Sequence, residues 1–251
     1  MAMTPYVLIV AGSDSSGGAG IVRDVETVSS FGLRSSIAVT AVTVQTHQAV
    51  ERIEQMPPEL VAEQMRTAFA ANPVAAVKIG MLGTAATIDT VASVLASSLP
   101  VSVVLDPVLA STSGRALLAD SAVHALKRKL LPLCRLVTPN LPELALLTGR
   151  PVAVSDRETV RQAEMLLATG VQAVLAKGGH AEGDRSTDLL VTADGTEHAF
   201  DAPRLAGTMR GTGCMLASAI AAHLALGETL EHSIARAKRH VFTTMAARLA
   251  D

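Results

Sequence analysis

A chain of 251 residues fits one large domain or two small ones. With 49% hydrophobic and 18% charged residues it carries ample apolar surface to offset the entropy of ordering, which excludes global disorder. Lys and Arg total 21 against 23 Asp and Glu, and aromatic residues make up only 2%, so the basic excess and the stacking surface of a nucleic-acid binder are both missing.

Taken in chain order, the first apolar run, 7–10, follows Pro5 without a basic segment and suits a buried strand better than a signal peptide. A glycine-rich stretch follows, 11–20, and then a helix with Ile21, Val25 and Val28 on one face and Gly32 closing it. Runs 37–44, 76–79, 101–105, 136–137 and 171–176 are nearly continuously apolar, as strands covered on both faces must be. Between them Val61, Met65 and Phe69 recur at helical spacing after Pro57-Pro58, and Ser155 to Glu158 has capping-box spacing before a helix ending near Gly170. The short polar segment 45–55 reads as an edge strand or flap. Segment 188–203 reads as a hairpin about Ala193-Asp194-Gly195, and 213–226 and 230–249 read as two helices separated by Gly227. This alternation predicts an α/β fold, and the absence of a linker or repeat predicts one domain over 1–251 with small appendages. No apolar run approaches the roughly 18 residues of a membrane span. Cys134 and Cys214 can form neither a disulfide framework nor a four-ligand zinc site, so a cytoplasmic setting is expected, with no membrane or nucleic-acid partner.

Five motifs carry chemistry. The stretch Ala11-Gly12-Ser13-Asp14-Ser15-Ser16-Gly17-Gly18-Ala19-Gly20 joins a strand to a helix and would let backbone N–H groups approach a ligand, although its spacing matches neither a dinucleotide fingerprint nor a P-loop. Arg210-Gly211-Thr212-Gly213-Cys214 opens a second apolar helix; its N–H groups would face an anion, and a thiol there should be pulled toward thiolate. A glycine-rich cap with an inert Cys is the plainer alternative. Asp106 follows one strand, and Asn140 and Glu143 follow another; the acids could hold Mg²⁺, or all three could simply cap helices. Lys177-Gly178-Gly179-His180 follows a further strand and supplies a cation, His180 having the weakest case. These positions converge on one cleft in a doubly wound sheet.

These segments, with Asp24, Lys78-Ile79-Gly80-Met81-Leu82 and Val104-Leu105-Asp106-Pro107-Val108, occur in the order found in the hydroxymethylpyrimidine/phosphomethylpyrimidine kinases, which the chain resembles over nearly its whole length. The resemblance implies a ribokinase-like fold with a mostly parallel central sheet, helices on both faces and a small β flap. It implies an ATP and Mg²⁺ phosphoryl donor, a small aminopyrimidine of thiamine biosynthesis as substrate, and a homodimer. It places Ala19, Asp24, Gln45, Met81 and Val108 against the aminopyrimidine, Asp106 and Glu143 at Mg²⁺, Asn140 and Lys177 at the ATP phosphates, and Gly211, Thr212, Gly213 and Cys214 at an anion hole. The chain departs from the family's common residues at Ser15, Val22-Arg23 and Arg210, and Arg210 could add a phosphate clamp. A pyridoxal or pyridoxine kinase, and a non-catalytic pyrimidine-binding protein of the same fold, are the rival readings.

Overall fold

The computed structural model describes residues 4–98, 100–109, 120–178 and 184–250. Among these residues nine strands form one sheet: β1 (Tyr6–Asp14), β2 (Arg34–Gln45), β3 (Val50–Gln55), β4 (Val74–Ile79), β5 (Ser102–Leu105), β6 (Leu136–Val137), β7 (Ala173–Ala176), β8 (Arg185–Thr192) and β9 (Glu197–Pro203). Their order is β3-β2-β1-β4-β5-β6-β7-β8-β9. The run from β2 to β7 is parallel, with antiparallel β3 at one edge and the antiparallel pair β8 and β9 at the other. The segment expected to be an edge strand or flap is thus an edge strand, and the expected hairpin widens the main sheet.

Among the described residues eight α-helices cover it: α1 (Gly20–Ser30), α2 (Pro58–Ala71), α3 (Ala85–Ala96), α4 (Asp120–Ala125), α5 (Leu141–Thr148), α6 (Asp156–Leu167), α7 (Thr212–Ala225) and α8 (Leu230–Ala250). The strand period of two explains why there are two cores. Along β1, Leu8 and Val10 face Val61, Met65, Ile88 and Val91 of α2 and α3, while Val7 and Ile9 face Ile21, Val28, Ile220 and Ile234 of α1, α7 and α8. With both faces covered, the central strands are nearly continuously apolar, which is the pattern read from the sequence.

The chain runs from β1 outward to β2 and β3, then crosses back to β4 on the other side of β1. A crevice therefore opens at the carboxyl ends of β1 and β4, the usual ligand position in such sheets.

Candidate active site

Backbone bonds carry each motif one step past its strand. Gly80 N–H donates to Val10 O at 2.9 Å, Asp106 N–H to Ile79 O at 2.8 Å, Thr138 N–H to Leu105 O at 2.9 Å and Lys177 N–H to Pro139 O at 2.8 Å. The motif residues so form a row along one sheet edge. Gly178 continues that row where only glycine fits, since a Cβ would stand 1.9 Å from Thr187 O.

The N-terminus of α7 sits over this row. Gly211 caps the helix with φ +75°, and the first rung of its ladder is Met215 N–H to Gly211 O at 2.9 Å. The N–H groups of Thr212, Gly213 and Cys214 therefore precede the ladder and are presented at the positive end of the helix. A Cβ on Gly213 would lie 3.1 Å from Lys177 Nζ and 3.4 Å from Asp106 Oδ2, which places the cation and the acid directly beneath.

Asp106 is buried and accepts Lys177 Nζ at 2.8 Å on Oδ1. Burial would strip Lys177 of its proton, but Asp106 and Glu143 override it and hold the ammonium above its ordinary pKa. Asn140 and Glu143 form a complete capping box, each accepting the other's backbone N–H at 2.8 Å, so the capping reading of these two residues is correct as far as it goes. It does not account for Glu143's electrostatics: burial, reinforced by Asp106, pushes its carboxyl up to about 7 against the pull of Lys177. Glu143, Asp106 and Lys177 thus share one field.

Among the described residues no three His, Cys, Asp or Glu side chains gather into a protein-only metal cage. Two acids near a helix N-terminus do fit Mg²⁺, which is commonly held by one or two carboxylates together with waters and substrate phosphates.

Gln45 ends β2, and both its backbone groups are held by the Ser15 hydroxyl, at 2.9 Å for its N–H and 3.1 Å for its carbonyl. Met81 is buried beside Gly12 at the end of β1, with its sulfur 3.3 Å from where a Cβ on Gly12 would stand. Ala19 caps α1, and Val108 lies two residues past Asp106. Gly179 and His180 fall outside the described residues.

Two expectations need correcting. Asp24 does not line the pocket: it has no exposed surface, and its oxygens accept Lys78 Nζ at 2.7 Å and Ser218 Oγ at 2.8 Å. It is a buried counterion below the site. Cys214 is not drawn toward thiolate either. Burial, with Asp24 and Asp106 nearby, pushes its thiol up to about 11, outweighing Lys78 and the Gly20 N–H.

Lys78 enters the sequence reading only as the first residue of Lys78-Ile79-Gly80-Met81-Leu82, without a role of its own. It pairs with Ile9 and Val104 in the middle of the sheet, and these neighbours place it on the α1 and α7 face, where Asp24 and Ser218 wait. Burial opposes its charge, yet Asp24, Cys214 and Asp106 together hold its pKa above the ordinary lysine value. The available signal was a lysine inside the otherwise apolar run Val74 to Ile79.

Two acids, a lysine and a glycine-led helix terminus thus stand at the carboxyl edge of a parallel sheet. A profile described as phosphomethylpyrimidine kinase matches residues 14–250. The hydroxymethylpyrimidine/phosphomethylpyrimidine kinase of Rhizobium meliloti (strain 1021) is 44% identical over 246 residues, which is 98% of this chain and 92% of that protein. The structure of a phosphomethylpyrimidine kinase from Clostridium difficile 630 superposes with a TM-score of 0.84 at 33% identity, over 97% of this chain and 100% of that one. The pyridoxal kinase from Staphylococcus aureus, in complex with AMP-PCP, gives 0.87 at 30% identity over 96% and 87%. The chain belongs to the phosphomethylpyrimidine kinase family.

Proposed function

We propose that the whole chain is one kinase domain that transfers the γ-phosphoryl group of ATP to the hydroxymethyl oxygen of 4-amino-5-hydroxymethyl-2-methylpyrimidine. It then phosphorylates the monophosphate to the pyrophosphate, in thiamine biosynthesis. The observation that carries this reading is the meeting of Asp106 and Lys177 beneath the first turn of α7, with Glu143 in the same field, in a chain of this family.

Phosphoryl transfer asks mainly for positioning and for compensation of charge on the γ-phosphate oxygens. The N–H groups of residues 211–214 supply fixed donors, and the Lys177 ammonium, kept charged by its two acids, supplies a cation. Asn140, whose amide oxygen is committed to its cap, offers its NH₂ group to the nucleotide phosphates. Asp106 and Glu143 would hold Mg²⁺, which neutralises phosphate charge when bound. At the other end of the crevice Gln45 presents an amide to the ring nitrogen and amino group, with Ala19, Met81 and Val108 as walls. Asp24 supports these residues from below.

Likeness to a pyridoxal kinase favours one second reading, since pyridoxal is also a flat heteroaromatic with a hydroxymethyl group. A homodimer is what the family resemblance implies, and two free cysteines support a cytoplasmic setting. ADP release is measured with the aminopyrimidine alcohol, its monophosphate and pyridoxal. Turnover of the first two with a kcat/KM well above that for pyridoxal is expected, and the reverse preference would replace this reading with the second.

A further inference from the structure

We propose that Arg210 is a positioning residue that locks the pyrimidine end of the crevice to the anion hole, an inference that rests on Gln45 lying at the pyrimidine end. Its guanidinium reaches two segments far from it in the chain, 14–16 and the turn at Thr46. Nη1 donates to Ser16 Oγ at 3.1 Å in the loop between β1 and α1, and to Thr46 O at 2.9 Å in the turn between β2 and β3. Nη2 faces Asp14 Oδ2 at 3.4 Å. Arg210 is itself the residue before Gly211, so whatever holds its side chain also holds the start of α7.

The partners are arranged to receive it. Asp14 is buried at the end of β1, and its Oδ1 accepts both the N–H of Ser16 at 2.8 Å and its hydroxyl at 2.6 Å, which fixes the Ser16 oxygen that meets Arg210. Ser15, the residue between them, bonds both backbone groups of Gln45. Arg210 therefore grips the turn one residue beyond Gln45 while Ser15 grips Gln45 itself. The backbones meet at the same joint: a Cβ on Gly211 would lie 2.5 Å from Gly18 O, and one on Gly18 would lie 3.5 Å from Arg210 Nη1.

A planar fork can reach a carboxylate, a hydroxyl and a carbonyl at once, whereas a lysine ammonium on this stem would reach the acid or the turn. With its donors turned onto protein groups, Arg210 acts on the reaction by fixing the distance between the group that orients the ring and the donors that receive the phosphate. A misplacement of about 1 Å costs on the order of a hundredfold in rate, so this joint bears directly on turnover.

The test uses the full chain and the variants Arg210→Ala, Arg210→Lys, Ser16→Ala and Arg210→Ala with Ser16→Ala. The aminopyrimidine and ATP are varied separately, and amide hydrogen exchange is followed over residues 45–50 and over α8. Arg210→Ala is expected to raise KM for the aminopyrimidine about tenfold or more, to lower kcat, and to leave KM for ATP within about twofold. Exchange over 45–50 should accelerate while α8 stays protected. Arg210→Lys, which keeps the charge beside Asp14 and guards against a folding failure, should show the same split at smaller size, and the double variant should be no worse than Arg210→Ala. Equal changes in both KM values, or unchanged exchange over 45–50, would overturn the proposal. If the wild-type protein turns over pyridoxal and not the aminopyrimidine, only the substrate assignment falls, because the exchange result stands without any substrate.

Discussion

Cys214 shows how a magnitude decides a role. A thiol with a pKa of about 11 lies about four units above neutral pH, so forming its thiolate costs about 5 kcal/mol. General-base catalysis contributes about 10²- to 10⁴-fold, or roughly 3–5 kcal/mol. The cost matches the gain, which argues against Cys214 as the base. We therefore expect Cys214→Ala to lower kcat by less than about tenfold and the wild-type thiol to react slowly with iodoacetamide at pH 7; a hundredfold loss would restore the thiolate as base. Asp24 calls for a different measurement. Its pairing with Lys78 has no exposed surface on either side, and removing one member of a buried ion pair costs about 3–5 kcal/mol. Asp24→Asn should lower Tm while KM for the aminopyrimidine stays within about twofold, and adding Lys78→Met should recover stability by removing the orphaned cation. A tenfold rise in KM without a change in Tm would return Asp24 to the pocket wall.

At the scale of elements, the first turn of α7 matters most, and two glycines with nearly equal φ separate its demands. Gly211 has φ +75°, and a Cβ there would meet Gly18 O at 2.5 Å and Arg23 Cγ at 3.3 Å; Gly149, which caps the end of α5 with φ +69°, has open space around it. Alanine at position 149 pays only the left-handed backbone cost of about 1–2 kcal/mol and should leave kcat unchanged. Alanine at position 211 adds the collision and shifts the anion hole, so kcat should fall tenfold or more at equal or greater loss of Tm. Matching kinetics in the two variants would mean the hole is not where catalysis occurs. Much at this scale was legible: the parallel strands announced themselves as apolar runs, and the motifs fell at their ends. The helix α3 did not stand out, because Thr87, Ile88, Thr90, Val91 and Val94 give it a β-branched composition, and its start is set by a Thr84 hydroxyl that accepts the Thr87 N–H. Nor could a one-dimensional pattern reveal that Asp24 and Lys78 meet, since that depends on which sheet face α1 covers and on which face Lys78 points, 54 positions further on. The Arg210 joint, with contacts spanning up to 196 positions, was invisible for the same reason.

In the molecule as a whole α1, α7 and α8 cover one face of the sheet, and their mutual packing carries a pH dependence separate from the site. Phe31, at the end of α1, packs against the ring of His223 from α7 at 4.6 Å and the ring of His240 from α8 at 4.9 Å. His223 is buried with Nδ1 3.2 Å from Glu228 Oε1, and Glu228 also meets Arg236 at 2.9 Å. Burial lowers the pKa of both histidines; Glu228 opposes this at His223, Arg236 adds to it there, and His223 adds to it at His240. A histidine whose folded pKa is depressed favours the neutral fold. Its contribution is complete above the unfolded value of about 6.5 and is lost as pH falls through that value toward the folded one. Two such groups on one phenyl ring should make the packing of α8 on α7 weaken between about pH 7 and pH 5, before carboxylates with ordinary pKa values titrate. The check is the fall in Tm from pH 7.5 to pH 5.5 in the wild type and in His240→Gln. The variant removes one titrating ring and relieves the other of a like charge, so its fall should be clearly the smaller. Equal falls would place the acid sensitivity elsewhere in the fold.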